Sequence, residues 1–323
     1  MRKAGCVGLN RSSDGKIEIQ KKPTPLAPTT TLLLGPIWLL FGLGWCVAHL
    51  PFRWQVTLGR GFGRLLYHLG KERAYITHRN IEVCMPQLSK AEQDALVNKN
   101  FESVGMGFVE LAMAYWGNRD SLHRRFTFKG IEHLEAAKAQ GKGVLVVACH
   151  MTSLELMLRL FAESWPCAVL YKPNNNPFFE AYSTAKRARY SIPVPAKKLR
   201  GFLDHLKAGG SAIYLADQDY GAKHSVFAPF FGVQCATIKR PPDYLEYSGA
   251  VLMPVVFGRH DDDSGYYAEV FPPLDYPTGD EIQDATTLNQ WVEKNVLRHP
   301  DQYLWQHRRF KRRPEGEPKI YKR

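Results

Sequence analysis

From Leu32 to Leu50 the chain reads LLLGPIWLLFGLGWCVAHL, nineteen positions without a formal charge. As a helix this run rises about 28 Å, close to the roughly 30 Å of bilayer hydrocarbon. Trp38, Trp45 and Trp54 suit interfacial positions. The pattern predicts a hydrophobic membrane-anchor helix over 31–52, either spanning or lying on the surface. Pro36, Gly42, Gly44 and His49 interrupt it, and a buried core helix is the alternative. Lys and Arg flank both sides in similar number, so charge bias does not orient it. Residues 1–30 are polar, with Pro23, Pro25 and Pro28, and read as a mobile tail without a signal peptide's early apolar run.

Beyond the anchor, residues 54–117 carry helical spacing. Ser89 with Glu92 forms a capping box that opens a long helix through about Trp116. Phe101, Val104, Phe108, Leu111 and Ala112 share one face of it, expected to pack. From Gly130 the pattern changes. Ile131–Gln140 reads as a short helix, and GVLVVAC (Gly143–Cys149) as a strand buried on both faces. Helices follow at Thr152–Glu163, Phe178–Tyr190, Leu203–Ala208 and Thr287–Arg298. Strands are expected at Ala168–Tyr171, Ala212–Ala216, Val251–Phe257 and Tyr266–Phe271. This alternation predicts an α/β fold: a mostly parallel or mixed central sheet flanked by helices, after an N-terminal membrane-associated helix. Residues 53–314 read as one domain, helical to about 129, and 315–323 as a basic tail.

Composition narrows the class. Of 323 residues, 45% are hydrophobic and 23% charged, which excludes a disordered chain, a collagen, a coiled coil and a multi-span membrane protein. The net charge of +12 calls for an anionic partner. Half of that excess lies between Arg308 and Arg323, which hold eight Lys or Arg and two Glu. The six cysteines form no CxxC pair and sit mostly in apolar runs, as reduced thiols in a cytoplasmic setting would; no metal is expected.

Four groups carry candidate chemistry. His150 ends the buried strand, where ligands bind in open α/β sheets. If it folds back over the first turn of the next helix it meets Glu155, which would make it a general base for a hydroxyl. A capped turn at Thr152 or Ser153 would leave N–H groups for an oxyanion. The plain alternative is a His–Glu pair that satisfies only itself. Cys149 falls on the other face of the strand, away from that role. Asp217 and Asp219, in DQDYG after a strand, serve equally to bind a metal, orient a base, hold a cation or turn the chain. Lys172 follows another strand, and Arg187, Arg189 and further cations come after it, as in a phosphate-binding rim. Finally, QYLWQHRRFKRRP interleaves aromatic and basic residues, which suits nucleic acid or anionic headgroups.

These motifs together (HMTSLE, YKPNNNP, LADQDYG with SVFAPFFG, YSGA before a strand, and QYLWQHRRFKRRP) resemble the secondary acyltransferases of lipid A biosynthesis, the lauroyl/myristoyl transferase type, from about Leu32 to Pro314. The resemblance implies transfer of an acyl chain from acyl carrier protein to the hydroxyl of a hydroxyacyl chain on a phosphorylated lipid A precursor. It places the enzyme on the cytoplasmic face of the inner membrane, with no cofactor and no nucleic acid. It puts the family's His-x4-acid pair on His150 and Glu155 as catalytic residues. Lys172 takes the basic loop position, where the family has Arg. The Asp-x-Asp falls on Asp217 and Asp219, and the basic segment on His307, Arg308, Arg309 and Lys311. Arg187, Arg189 and Arg308 or Arg309 are then the expected phosphate contacts. A glycerophospholipid acyltransferase is the nearest alternative, but that family has Asn and Asp where Cys149 and Glu155 stand. A non-catalytic membrane or nucleic-acid binder would leave the His–Glu pair unexplained.

Overall fold

The computed structural model describes residues 9–11, 17–19 and 35–322. Two short strands, β1 (Leu9–Arg11) and β2 (Ile17–Ile19), pair antiparallel. The rest of the expected tail over 1–30 lies outside the described residues. Four helices follow: α1 (Gly35–Ala48), α2 (Phe52–Leu69), α3 (Lys71–Cys84) and α4 (Lys90–Trp116).

Helix α1 has 14 residues, about 21 Å of rise. Among the described residues no helix is long and apolar enough to cross a membrane. Residues 31–34 of the expected anchor lie outside the described residues, and the described part is a helix lying against the body of the protein. Phe41 is buried and its ring sits 4.3 Å from Tyr182 and 5.8 Å from Trp116. Trp38 and Phe41 also touch Phe178.

Helix α4 opens on the expected capping box, with Ser89 accepting from the Glu92 N–H and Glu92 from the Ser89 N–H. Its buried side holds Phe101, Met106, Val109 and Met113, whereas Phe108 is 53% exposed. The face expected to pack is therefore rotated, and Val104, Phe108 and Leu111 line an open groove instead. The α2–α4 crossing is close because glycines meet there. A Cβ on Gly63 would stand 2.0 Å from the Phe101 carbonyl oxygen, and one on Gly105 would stand 2.1 Å from that of Gly59.

After α5 (Arg119–His123), a seven-stranded sheet is built from β3 (Phe126–Lys129), β4 (Val144–Ala148), β5 (Ala168–Tyr171), β6 (Ile192–Pro195), β7 (Ser211–Leu215), β10 (Val251–Arg259) and β11 (Tyr266–Val270). The order is β3-β11-β10-β4-β7-β5-β6. The run from β10 to β6 is parallel, and β11 turns back antiparallel on β10 with β3 parallel beside it. Helices α6 (Ile131–Ala139), α7 (Leu154–Ser164), α8 (Pro177–Arg187) and α9 (Leu199–Lys207) connect the strands. Every residue of β4 is buried, as its unbroken apolar run requires. Alternate strand residues feed two cores, one around Val146, Phe161 and Phe257 and one around Leu145, Phe202 and Leu252.

A third core lies under the C-terminal segment. It joins Ile81, Cys84 and Phe101 to Phe230 of a separate hairpin, β8 (Ser225–Phe230) with β9 (Val233–Ile238), and to Tyr303, Trp305 and Phe310. Helix α10 (Pro241–Ser248) leads into β10, and α11 (Glu281–Arg298) lies against β8 and β9. The expected basic tail docks too. Arg79 donates to the Ile320 carbonyl, and the Tyr321 hydroxyl pairs with Asn80.

Gly63→Ala is expected to destabilise the protein by about 1–3 kcal/mol through overpacking at the α2–α4 crossing. A thermal melt in detergent should show a midpoint at least ~2 °C lower; an unchanged midpoint would mean the crossing relaxes freely.

Candidate active site

Strand register builds the centre. Ala148 of β4 sits opposite Leu215 of β7 in the parallel ladder. His150 and Asp217 each follow two residues later, so they leave the sheet side by side. Asp217 Oδ1 lies 2.7 Å from His150 Nδ1, and its Oδ2 accepts from the His150 backbone N–H at 2.9 Å. Both oxygens of one carboxylate thus hold one residue. Burial opposes ionisation of Asp217. The His150 ring and N–H groups and the Tyr303 hydroxyl outweigh it, holding the carboxyl below its usual range. With Nδ1 occupied, His150 keeps Nε2 for another partner.

This corrects the expected pairing. Glu155, in the first turn of α7, is taken by Arg187, whose Nε and Nη2 donate at 2.8 and 2.6 Å, and by the Tyr190 hydroxyl at 3.0 Å. Burial and then the Glu155 charge raise the Tyr190 pKa. Spacing along the chain pairs the histidine with the nearest following acid, Glu155. The register across two strands supplies a better placed one, 67 residues away.

The turn from His150 to Leu154 is fixed from outside. The Thr152 N–H donates to the Gln302 carbonyl, and the Leu304 N–H to the His150 carbonyl, forming a bridge between Met151 and Tyr303. The Thr152 N–H is therefore spent, and the oxyanion role expected near it falls away at that atom. The expected cap is also absent: Ser153 occupies the N-cap with no side-chain cap bond, and the Thr152 hydroxyl accepts from Arg259. Arg259 in turn lies 2.9 Å from buried Glu110.

The C-terminal basic segment is spent inward. Arg309 is 2% exposed and donates to the Ala236 carbonyl, the Thr237 hydroxyl and Asn289 Oδ1. That corrects its expected role as a phosphate contact. Arg308 pairs with Glu72 at the surface. Arg312 pairs with Asp219, whose Oδ1 also accepts from the Gly221 N–H, so Asp219 closes the turn and anchors the tail. His307 accepts from the Asp219 N–H at 3.4 Å through Nε2. Burial lowers its pKa, and Asp217 raises it less strongly. Lys172 is exposed just after β5, at the sheet end where His150 and Asp217 emerge. Arg189 is exposed beyond α8. Cys149 is buried, and burial followed by the Asp217 charge pushes its thiol up, against a nucleophilic role.

A groove of about 430 Å³ adjoins this turn. Thr152, Glu155 and Leu304 line it at the site, and Leu66, Phe101, Val104, Phe108 and Leu111 give it apolar walls. Arg187 and Tyr303 were the partners that sequence patterning underrated. Arg187 was placed in a phosphate rim, and Tyr303 looked like part of an aromatic–basic run.

An imidazole held by a buried carboxylate, two residues from Thr152 on the wall of a mostly apolar groove, suits proton transfer on a substrate with a hydrocarbon chain. Comparison with known proteins agrees. The profile of the family described as bacterial lipid A biosynthesis acyltransferase matches residues 24–312. The chain belongs to the bacterial lipid A biosynthesis acyltransferases. It is 40% identical to the lipid A biosynthesis lauroyltransferase of Escherichia coli (strain K12) over 305 residues, 92% of this chain and 100% of that one. It is 39% identical to the palmitoleoyltransferase of the same organism over 290 residues, 88% of this chain and 94% of that one. With the myristoyltransferase it shares 26% over 282 residues, 86% and 87% of the two chains. This lipid A acyltransferase therefore has relatives named for different acyl groups, so family membership alone does not assign its chain length.

Two predictions follow from these side chains. Arg309→Ala removes a donor from three buried acceptors, of which the Thr237 hydroxyl keeps the Asn289 side-chain donor, and is expected to cost about 1–3 kcal/mol. Arg308→Ala, at an exposed pair, should stay within about 1 kcal/mol. Equal losses in chemical denaturation would contradict the inward role of Arg309. The second concerns pH. The folded pKa of His307 lies below its usual 6.5, so the unfolded chain takes up the proton first as pH falls. Its share of stability is full above about 6.5 and is lost as pH drops toward the folded value. Melting midpoints between pH 7.5 and 5.5 should therefore fall more for the native protein than for His307→Gln; equal slopes would contradict this.

Proposed function

We propose that the enzyme transfers a fatty acyl chain from acyl-acyl carrier protein to the hydroxyl of a hydroxyacyl chain on a phosphorylated lipid A precursor. It works at the cytoplasmic face of the inner membrane. The observation that carries the reading is the His150–Asp217 pair beside the apolar groove. In this reading the donor chain lies in the groove with its thioester near Thr152 and Glu155. His150 Nε2 removes the proton of the acceptor hydroxyl as its oxygen attacks the thioester carbonyl. The tetrahedral adduct collapses, the C–S bond breaks, and the leaving thiolate takes the proton back from the imidazolium. Asp217 keeps the ring in the right tautomer and stabilises its charged form without itself becoming protonated.

Glu155 stays in the proposed machinery, as the carboxylate at the polar part of the groove. Arg187 and Tyr190 hold it there, and Arg187 thereby acts as a positioning residue. Lys172, Arg189 and Arg308 remain the cations proposed for the acceptor's phosphates, each at the surface.

The test uses purified enzyme, acyl carrier protein charged with a single fatty acid, and a phosphorylated lipid A precursor, read by mass spectrometry. One added acyl chain, lost in His150→Ala, supports the reading; transfer only to a lysophospholipid would overturn it. Asp217→Asn is expected to lower kcat by ~10² or more, since a misheld base forfeits most of its contribution. Glu155→Gln and Arg187→Gln should each lower turnover, and the double variant should be no worse than the more damaged single one, because the pair acts as a unit. Near-normal turnover in Asp217→Asn with none in Glu155→Gln would return the orienting role to Glu155.

A further inference from the structure

An exposed apolar stripe runs along α2. Trp54, Leu58, Phe62, Leu65 and Leu69 are all exposed and recur at spacings of four and three, which places them on one stripe. The opposite side, with Val56, Gly59 and Gly63, packs inward against α4. Arg53, Arg60 and Arg64 share a third side of the helix, which itself contains no Asp or Glu; Arg60 pairs with Asp263 and Arg64 with Glu102. Helix α1 continues this surface with exposed Trp38, Leu39, Leu40, Leu43 and Trp45. The stripe also reaches the groove. The Phe62 and Phe108 rings meet edge to face at 5.4 Å, and Phe108 and Leu66 line the groove wall.

We propose that α1 and α2 lie in the plane of a membrane interface, with the α2 stripe embedded, so that the groove opens sideways at Phe108 into the acyl layer. This rests on the acyltransferase reading for the purpose of the opening. Three observations select a bilayer as the occupant. The 14 described residues of α1 rise about 21 Å, and they are braced along the protein body rather than projecting from it. Arginines above an apolar stripe, two of them paired with Asp263 and Glu102 but still partly exposed, sit where anionic headgroups would lie over acyl chains. The apolar surface runs unbroken into the groove. An acyl chain anchored in the bilayer could then enter or leave the site without crossing water.

The test places an environment-sensitive dye on single cysteines at Leu58, Phe62, Leu65, Leu69 and Phe108, each in a full-length Cys6→Ser, Cys46→Ser background. Gln140 on the far surface serves as a control. Vesicles of phosphatidylethanolamine and phosphatidylglycerol carry quenchers at two depths. Embedding predicts a blue shift at all five positions and none at Gln140. It also predicts one shallow depth from 58 to 69, although these residues are about 16 Å apart along the helix. A graded depth would mean that α2 crosses the bilayer and would overturn the proposal. So would a blue shift that needs no vesicles but grows with protein concentration, which marks a second copy as the occupant. Phe108 left in water while the stripe embeds would overturn the sideways opening. The dye reads position and not turnover. A protein that embeds as described but transfers no acyl chain would therefore sink the acyltransferase mechanism and leave this arrangement standing.

Discussion

The pairing of β4 with β7 is the constraint from which the site follows. Parallel neighbours lie about 4.8 Å apart and keep their register to the ends of both strands. Because Ala148 faces Leu215, His150 and Asp217 emerge side by side two residues beyond them. Their contact needs no long-range folding of a loop, only that the fully buried β4 and the largely buried β7 end together. The same sheet end presents Lys172 after β5. Burial of β4 on both faces makes a slip costly, since every residue of the run is packed.

Around that pair several charges of the C-terminal segment are spent on internal contacts. The C-terminal segment returns beside His150, pairs with its turn, and is locked by Arg309 beneath β9 and by Arg312 on Asp219. The family's basic motif thus reads as a clasp that shapes one wall of the site. Glu155 and Arg187 form a second, separate ionic pair at the groove. Two carboxylates flank the candidate site in different settings: one faces the imidazole, and the other faces a guanidinium and the groove.

Much of the sheet was legible because buried parallel strands are unbroken apolar runs: β4, β5, β7, β10 and β11 all stand where the pattern put them. The elements that were missed lack that signal. β6 is IPVP, and its prolines are tolerated only because it sits at the sheet edge. The β8–β9 hairpin turns through Phe231 and Gly232, both at positive φ, where a phenylalanine gives no turn cue. His150 and Glu155 were visible as candidates, but their partners were not. Asp217 was found as a site residue without its role, because residue spacing does not carry strand register. Arg309 looked like a surface cation, since nothing local reveals that β9 and α11 close over it.

The central claim is that Asp217 holds the His150 imidazole with Nε2 left for substrate. The most direct measurement is the proton NMR signal of the His150 ring Nδ1–H in 15N-histidine-labelled enzyme, assigned by its loss in His150→Gln. The account predicts a strongly downfield, slowly exchanging resonance that vanishes in Asp217→Asn and survives in Glu155→Gln. A resonance that survives in Asp217→Asn and vanishes in Glu155→Gln would contradict it.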